Sequence, residues 1–357
     1  MTILSPVDTR SIGNILLSLQ LNSFNAHKVE LAQKTISSDT KQKINAINLE
    51  AGGFQALRKE LSAATDFIER VVARGDAIDS LLNNMVTGVW NAQYGDSASF
   101  PGHASAFDAL LKRINYEAES TRDTPNLLGS TPQSDFSYRY QTNGATNSVG
   151  RSFIGYDYTI KEAGDYIWRR DRDLNQFKRF VDSTGVYTGA YVSLSSGAIQ
   201  LDSFTASTAA VTFTTGFDTS DATQYSGTIT RSGLGVLDSW FYEGLSTADG
   251  RSRAAADLHA AEITLDSILP TFRSALDSAL FYLTQTDNEI AGFNSLIDEK
   301  TAASLIKMKA AEDNGLRLNN LNLSIIESQA YVRNLYLDAI SLGKNTDLVK
   351  ALIDVVA

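Results

Sequence analysis

The chain has 357 residues, of which 43% are hydrophobic, which is enough for two or three domains with buried cores. Its 31 Lys and Arg against 41 Asp and Glu give a net charge of -10, which argues against nucleic acid or an anionic membrane surface as the main partner. There is no cysteine, so disulfide frameworks and thiol chemistry are excluded.

The first segment lacks the pattern of a cleaved secretory signal, because Met1–Arg10 has no basic stretch followed by an apolar core. The chain is therefore expected either to stay inside the cell or to leave by a route that needs no cleaved signal. Ser11–Leu31 is predicted to be a helix. Its apolar side chains are candidates for an assembly interface: Ile12, Ile15, Leu16 and Leu19.

A long apolar stripe follows from Ile44 to Val89 with no proline and with spacings of three and four, which predicts a second helical segment. The polar run Thr35–Lys43 before it predicts a bend or a polar face. The residues predicted to form the N-terminal half of an arm-pairing core are Ile47, Phe54, Leu61, Ile68 and Leu82.

The middle of the chain changes character after a return helix, Ala106–Ala118, which ends before Pro125. Phe180–Thr230 has no Lys or Arg and is rich in Thr, Ser and Gly, which predicts short strands. Tyr166–Phe180 fits either a helix or a charged hairpin, and its charge cluster Arg169–Asp173 indicates a solvated, self-paired face. The three tryptophans are expected to anchor cores: Trp90, Trp168 and Trp240.

Helices resume after Arg251, and Pro270 is predicted to mark a kink or a new helix start. A seven-residue repeat then indicates a helix that lies along another helix. Its residues are the predicted C-terminal half of the arm-pairing core: Leu276, Leu283, Ile290 and Ile297. The final apolar stripe is predicted to be an assembly interface: Leu348, Val349, Leu352, Ile353 and Val356.

The predicted fold class is α+β, with long N- and C-terminal helical arms paired as an antiparallel coiled-coil bundle and an inserted β-rich outer domain. We expect three domains: residues 1–43 with 305–357 for assembly, 44–130 with 252–304 as a helical bundle, and 131–251 as the surface-exposed insertion.

No set of residues indicates catalysis, a cofactor or a metal, so we expect a protein that is not an enzyme. The three histidines lie in different segments. His27 with Glu30 and His259 with Glu262 have helical spacing, but two ligands are fewer than zinc requires, and solvated side chains are the simpler interpretation.

Four stretches carry a resemblance to the bacterial flagellin family. Asp79–Met85, Phe107–Ile114 and Pro125–Gly129 resemble the family's second helix, its return helix and the turn that closes it. Leu296–Leu305 is similar to the segment before the last helix in alphaproteobacterial flagellins. The stretch Ile36–Ile44 departs from the family pattern, since an aspartate replaces its glycine and the paired aspartates are absent.

The resemblance implies a structural subunit of an extracellular helical filament, exported through the flagellar type III channel and self-assembling through its terminal helices for motility. Implied partners are other copies of the chain in a helical homopolymer, other flagellins, hook-associated proteins and an export chaperone, with no nucleic acid and no membrane insertion. The chain could instead be a divergent paralogue or a hook–filament junction protein. A type III secretion needle-tip protein and a phage tail or sheath protein remain as alternatives of another kind.

Overall fold

A computed structural model describes residues 9–119, 126–129, 135–152, 154–171, 174–194, 198–217 and 219–344. Its helices are α1 (Thr9–Ala92), α2 (Phe100–Ala118), α3 (Ala248–Lys344) and a short 3-10 helix (Ser239–Leu245). Among the described residues, nine strands lie between α2 and the 3-10 helix. The mixture of long helices and antiparallel sheet confirms the predicted α+β class.

The described strands form two antiparallel sheets. β1 and β2 pair as a hairpin, and the other seven strands pair in the order β6-β5-β4-β3-β9-β8-β7. The bounds are β1 Phe136–Arg139, β2 Thr146–Val149, β3 Tyr156–Glu162, β4 Tyr166–Asp171, β5 Gln176–Val181, β6 Tyr187–Ser193, β7 Ile199–Thr205, β8 Ala210–Thr215 and β9 Thr223–Gly233.

The chain divides into two compact units. Unit 1 contains residues 1–54 and 288–357, and unit 2 contains Gln55–Asp287. Each long helix therefore contributes one part to each unit: α1 contributes 9–54 to unit 1 and α3 contributes 288–344, and we call these two parts the N-arm and the C-arm. The three-domain division expected from the sequence stays a prediction.

Unit 2 has one hydrophobic core shared by its helices and its large sheet. The inner face of the sheet is aromatic, with the rings of Trp168 and Phe177 stacked at 5.4 Å between centroids. The buried amide of Asn115 on α2 ties a helix to the sheet, because it donates to the Tyr156 carbonyl (3.0 Å) and accepts from the Tyr156 N–H (2.7 Å). This pair of bonds satisfies the end of β3 where water is excluded.

In unit 2 α1 and α3 pack antiparallel, so that residues later in α1 contact residues earlier in α3. Arg58 contacts Asp287 and Asp76 contacts Arg273 through ion pairs of 2.5 and 2.7 Å. The turn after α2 is held from inside: the Asn126 side chain accepts hydrogen bonds from the Leu128 N–H (3.1 Å) and from Arg74 (3.2 Å). These bonds give a physical role to the asparagine of the turn that resembles the flagellin pattern.

The structure bears on two helix expectations that were stated as alternatives. α1 runs unbroken through Thr35–Lys43, where most side chains are exposed and Asp39 pairs with Lys43 at 2.8 Å, so the segment is a polar face and not a bend. Pro270 lies inside α3 rather than at a helix start. Its neighbours Leu269 and Phe272 are buried in the core of unit 2, and this packing outweighs the roughly 3 kcal/mol that proline costs a helix.

The middle segment settles two further expectations. Tyr166–Phe180 is the hairpin β4–β5 and not a helix. Its charge cluster is not wholly solvated, because side chains alternate across a strand and Arg170 points into the core while Arg169 points out. Trp168 and Trp240 are core residues as expected, but Trp90 is 60% exposed on the surface of α1.

Candidate functional site

The densest buried polar cluster of unit 2 lies where β4, α2 and the 3-10 helix meet. Arg170 and Asp238, 3% and 1% exposed, form a two-bond ion pair with distances of 3.1 and 3.2 Å. The Tyr158 hydroxyl donates to Asp238 (2.7 Å), and Asp108 accepts from the N–H and hydroxyl of Ser239 at 2.6 and 2.7 Å. Each of the three charged groups thus has a partner inside the protein.

The cluster fits a structural role better than a catalytic one. Burial and the nearby Asp238 carboxylate raise the pKa of Asp108 to about 7, which is a property that active sites share with buried ion clusters. All of its hydrogen-bonding groups face elements of unit 2 itself, so it fastens α2 and the 3-10 helix to the sheet. We assign it to the stability of unit 2.

Metal and membrane sites have no support in the described part of the chain. Within that part, no three His, Asp or Glu side chains are arranged to hold a metal ion. His259 and Glu262 form a pair at 3.6 Å with the histidine exposed, in line with solvated helix side chains. None of the helices described has a stretch apolar enough to cross a bilayer.

The arms of unit 1 form the other candidate site. They pack antiparallel along a seam in which small and polar residues lie among half-buried aliphatic ones such as Ile36 and Ile297. The Asn25 side chain donates to Asn319 (2.7 Å), and Asn25 is buried. Gly315 lets the two arms approach each other closely, since a β-carbon added there would lie 2.3 Å from a methyl of Val29. Asn22, one turn from Asn25, buries its carbonyl oxygen without a hydrogen-bond partner.

Aromatic packing strengthens the seam near its other end, where the Phe54 and Phe293 rings lie 5.4 Å apart. Between these points the C-arm places Ser304, Met308 and Ala311 inward. Two antiparallel helices with such a seam bury little apolar surface, and a two-helix structure with so small a core is marginal by itself.

The outward faces of the arms are, by contrast, strongly apolar. Among the described side chains of unit 1, nineteen large hydrophobic ones are exposed and a single hydrophobic one, Ala51, is buried. An ordinary soluble unit has the opposite distribution. The nineteen exposed side chains are Ile15, Leu16, Leu17, Leu19, Phe24, Leu31, Leu49, Leu305, Ile306, Leu316, Leu318, Leu321, Leu323, Ile325, Tyr331, Val332, Leu335, Tyr336 and Leu337.

The structure describes only some of the predicted assembly residues. Ile15, Leu16 and Leu19 are exposed on the N-arm. The side chain of Ile12 and the whole stripe Leu348, Val349, Leu352, Ile353 and Val356 lie outside the described residues.

The predicted arm-pairing residues fall into both units. In unit 2, Leu61, Ile68 and Leu82 are fully buried, and Leu276 and Leu283 are half-buried against the same core.

In unit 1 the predicted pairing residues Ile47, Phe54, Ile290 and Ile297 are all half-buried. The sequence analysis did not identify the polar seam beyond them, or the exposed residues Leu318, Leu321 and Ile325. A seven-residue spacing joins Leu318, Ile325 and Val332 and could have revealed them.

Comparisons with known proteins add little. No protein-family model matches the chain, and no curated protein matches it. The chain is similar to the crystal structure of Xanthomonas campestris FlgL, with 11% identity, a TM-score of 0.31 and coverage of 76% of this chain and 99% of that one. It is also similar to flagellar hook associated protein-3 from Legionella pneumophila, with 12% identity, a TM-score of 0.32 and the same coverage. Scores this low carry no argument about fold or function.

Proposed function

We propose that this chain is a structural subunit of an extracellular bacterial flagellar filament, flagellin-like, which assembles with copies of itself through the arms of unit 1. One observation carries the proposal: the arms leave nineteen large apolar side chains exposed, while the large apolar residues of their seam are at most half-buried. Apolar surface on this scale marks a binding site for other protein. The sequence resemblance of α1, α2 and the turn at Asn126–Gly129 to flagellins indicates which kind of assembly forms, namely a helical filament.

The energetics favour several neighbours per subunit. Covering a half-exposed Leu or Ile stabilises by about 1 kcal/mol, which is half of the 1.5–3 kcal/mol for full burial. Association costs an estimated 4–15 kcal/mol in lost freedom. A contact that covers five or six side chains therefore barely holds a pair, whereas nineteen exposed side chains shared among several neighbours hold a polymer.

Export by the flagellar type III route and roles as a minor paralogue or a hook–filament junction protein are finer parts of the same proposal. A flagellin polymerises into long filaments, while a junction protein adds only to the end of an existing structure. The needle-tip and phage alternatives predict a capped tip or a ring. Particle shape therefore separates these possibilities.

The test is sedimentation and negative-stain microscopy of the full-length protein at rising concentration, with ammonium sulfate to strengthen apolar association. We expect open filaments of constant diameter, and recovery of the protein in filaments sheared from cells that produce it. A matched pair of substitutions on α3 locates the surface: Ile325→Asp in the C-arm should prevent assembly, whereas Ile263→Asp, on an exposed position of unit 2, should not. A wild-type protein that stays monomeric and cell-bound would refute the proposal.

A further inference from the structure

An exposed apolar stripe runs beside the seam on the C-arm. Asn319, Asn322 and Ile326 are half-buried seam positions. The residue immediately before each of them is large, apolar and exposed, and these are Leu318, Leu321 and Ile325. One residue earlier on a helix means a rotation of roughly a quarter turn, so the stripe lies along one flank of the arm.

The N-arm repeats this arrangement. Its seam positions at seven-residue spacing are Ser18, Asn25 and Ala32. The residue before each of them is again large, apolar and exposed: Leu17, Phe24 and Leu31. The stripe is therefore displaced from its seam in the same rotational sense as the stripe on the C-arm.

Both stripes lie on the same flank of the pair. In two antiparallel helices, positions displaced from the seam in the same sense face the same side. The bond between Asn25 and Asn319 sets the two stripes at the same height along the arms. Asp39 and Lys307 each precede a seam position too, and they interact: Lys43 first, and Lys307 more weakly, lower the pKa of Asp39. The two stripes thus form the walls of one apolar groove.

The opposite flank is apolar as well, but its side chains differ. There the residue that follows a seam position is exposed, as Leu305 follows Ser304 and Leu316 follows Gly315. Leu323 and Leu19 are exposed too, and each likewise follows a seam position, Asn322 and Ser18. A ridge on the C-arm, Leu305, Leu316 and Leu323, therefore lies on the side away from the groove.

We propose that the groove binds a second copy of the chain, which enters through the ridge of its C-arm. This rests on the proposed function and specifies its contact. The seven-residue spacing of both walls fits a helix as the occupant. The chain itself carries an apolar helical ridge on the other flank. Because groove and ridge are different surfaces, each bound copy still offers a free one, and the contact does not close on itself.

Two variants separate the surfaces. Leu321→Asp with Ile325→Asp destroys the groove, and Leu316→Asp with Leu323→Asp destroys the ridge. The control, Arg317→Gln with Ser324→Asp, lowers the charge by the same two units on the back of the arm, two residues after the seam positions Gly315 and Asn322. All substituted side chains are exposed, so helix content by circular dichroism should match that of the wild type.

We expect each double variant alone to be monomeric in sedimentation velocity and the control to polymerise. An equimolar mixture of groove and ridge variants should form a 1:1 dimer and nothing larger, because one intact groove meets one intact ridge. Dimers of the ridge variant alone would show groove-to-groove pairing and overturn the inference, as would normal polymers from either variant. In both cases the wild type would still polymerise, so the proposed function would stand. A wild type that fails to assemble would refute both.

Discussion

The buried ion pair of unit 2 gives the sharpest stability prediction. Arg170→Met keeps the length and apolar stem of the side chain but leaves the Asp238 carboxylate, 1% exposed, without its cation. The Tyr158 hydroxyl still donates to Asp238, but the carboxyl group of Asp108 is near enough to repel the Asp238 carboxylate. The guanidinium also lies 4.6 Å from the centre of the Tyr156 ring, and this contact is lost too.

The expected cost is about 3–5 kcal/mol, the range for breaking a buried pair from one side. For a unit of this size that corresponds to a fall of roughly 6–20 °C in the unfolding temperature, at about 2–4 °C per kcal/mol. Thermal and urea unfolding followed by tryptophan fluorescence measure it, since Trp168 and Trp240 lie in the same core.

Two controls test the reasoning. Arg169→Met changes the adjacent arginine, which is exposed and pairs with Asp182 at 3.4 Å, and should cost less than about 0.5 kcal/mol. Arg170→Met with Asp238→Asn should recover most of the loss, because no unpaired charge remains. An Arg170→Met protein within about 1 kcal/mol of wild type would show that the pair is not held away from water.

Three further predictions follow from other features. Because the pKa of Asp108 is raised from 3.8 to about 7 by burial and by Asp238, its contribution to the stability of unit 2 should be lost as the pH rises between these values, and Asp108→Asn should remove that part of the pH dependence in urea titrations. Gly315→Ala should loosen the arms by about 1–3 kcal/mol through collision with Val29, whereas Gly292→Ala, with open space around it, should stabilise α3 by about 0.5–1 kcal/mol, both read from thermal melting of the helix signal. Filament formation should stop, with the core of unit 2 intact by tryptophan fluorescence, when aspartate replaces Leu348, Leu352 and Ile353.

The helices were predictable where large apolar residues mark the buried side. In unit 2 the spacing of Leu61 and Ile68 selects the side that the structure buries. In unit 1 the same spacing points to Ile47, Phe54, Ile290 and Ile297, which are half-buried, but it does not find the part of the seam formed by Asn25, Asn319 and Gly315. Asparagine and glycine carry no apolar signal, so a search for apolar spacing passes over the seam positions that they occupy.

The sheet was predictable in kind but not in connection. Threonine-rich alternation indicates strands, yet nothing local shows that β3 pairs with β9, about seventy residues later. The depth of Arg170 could be inferred only once β4 was known to be a strand, because alternation then places it on the side opposite Arg169. The attachment of Asn115 to Tyr156 is a contact between distant segments, which single-sequence patterns do not contain.

The amide pair of Asn25 and Asn319 acts as an alignment mark between the arms. Sliding one arm by a heptad would set Asn25 against Ile326, which offers no hydrogen bond, or against Glu312, whose charge would be drawn into the seam. The two arms therefore have the same axial alignment in every copy. In a lattice built from such copies, a single slipped pair would be a dislocation that offsets every layer added above it. A polar contact that contributes little to stability thus fixes the axial repeat of whatever the arms build.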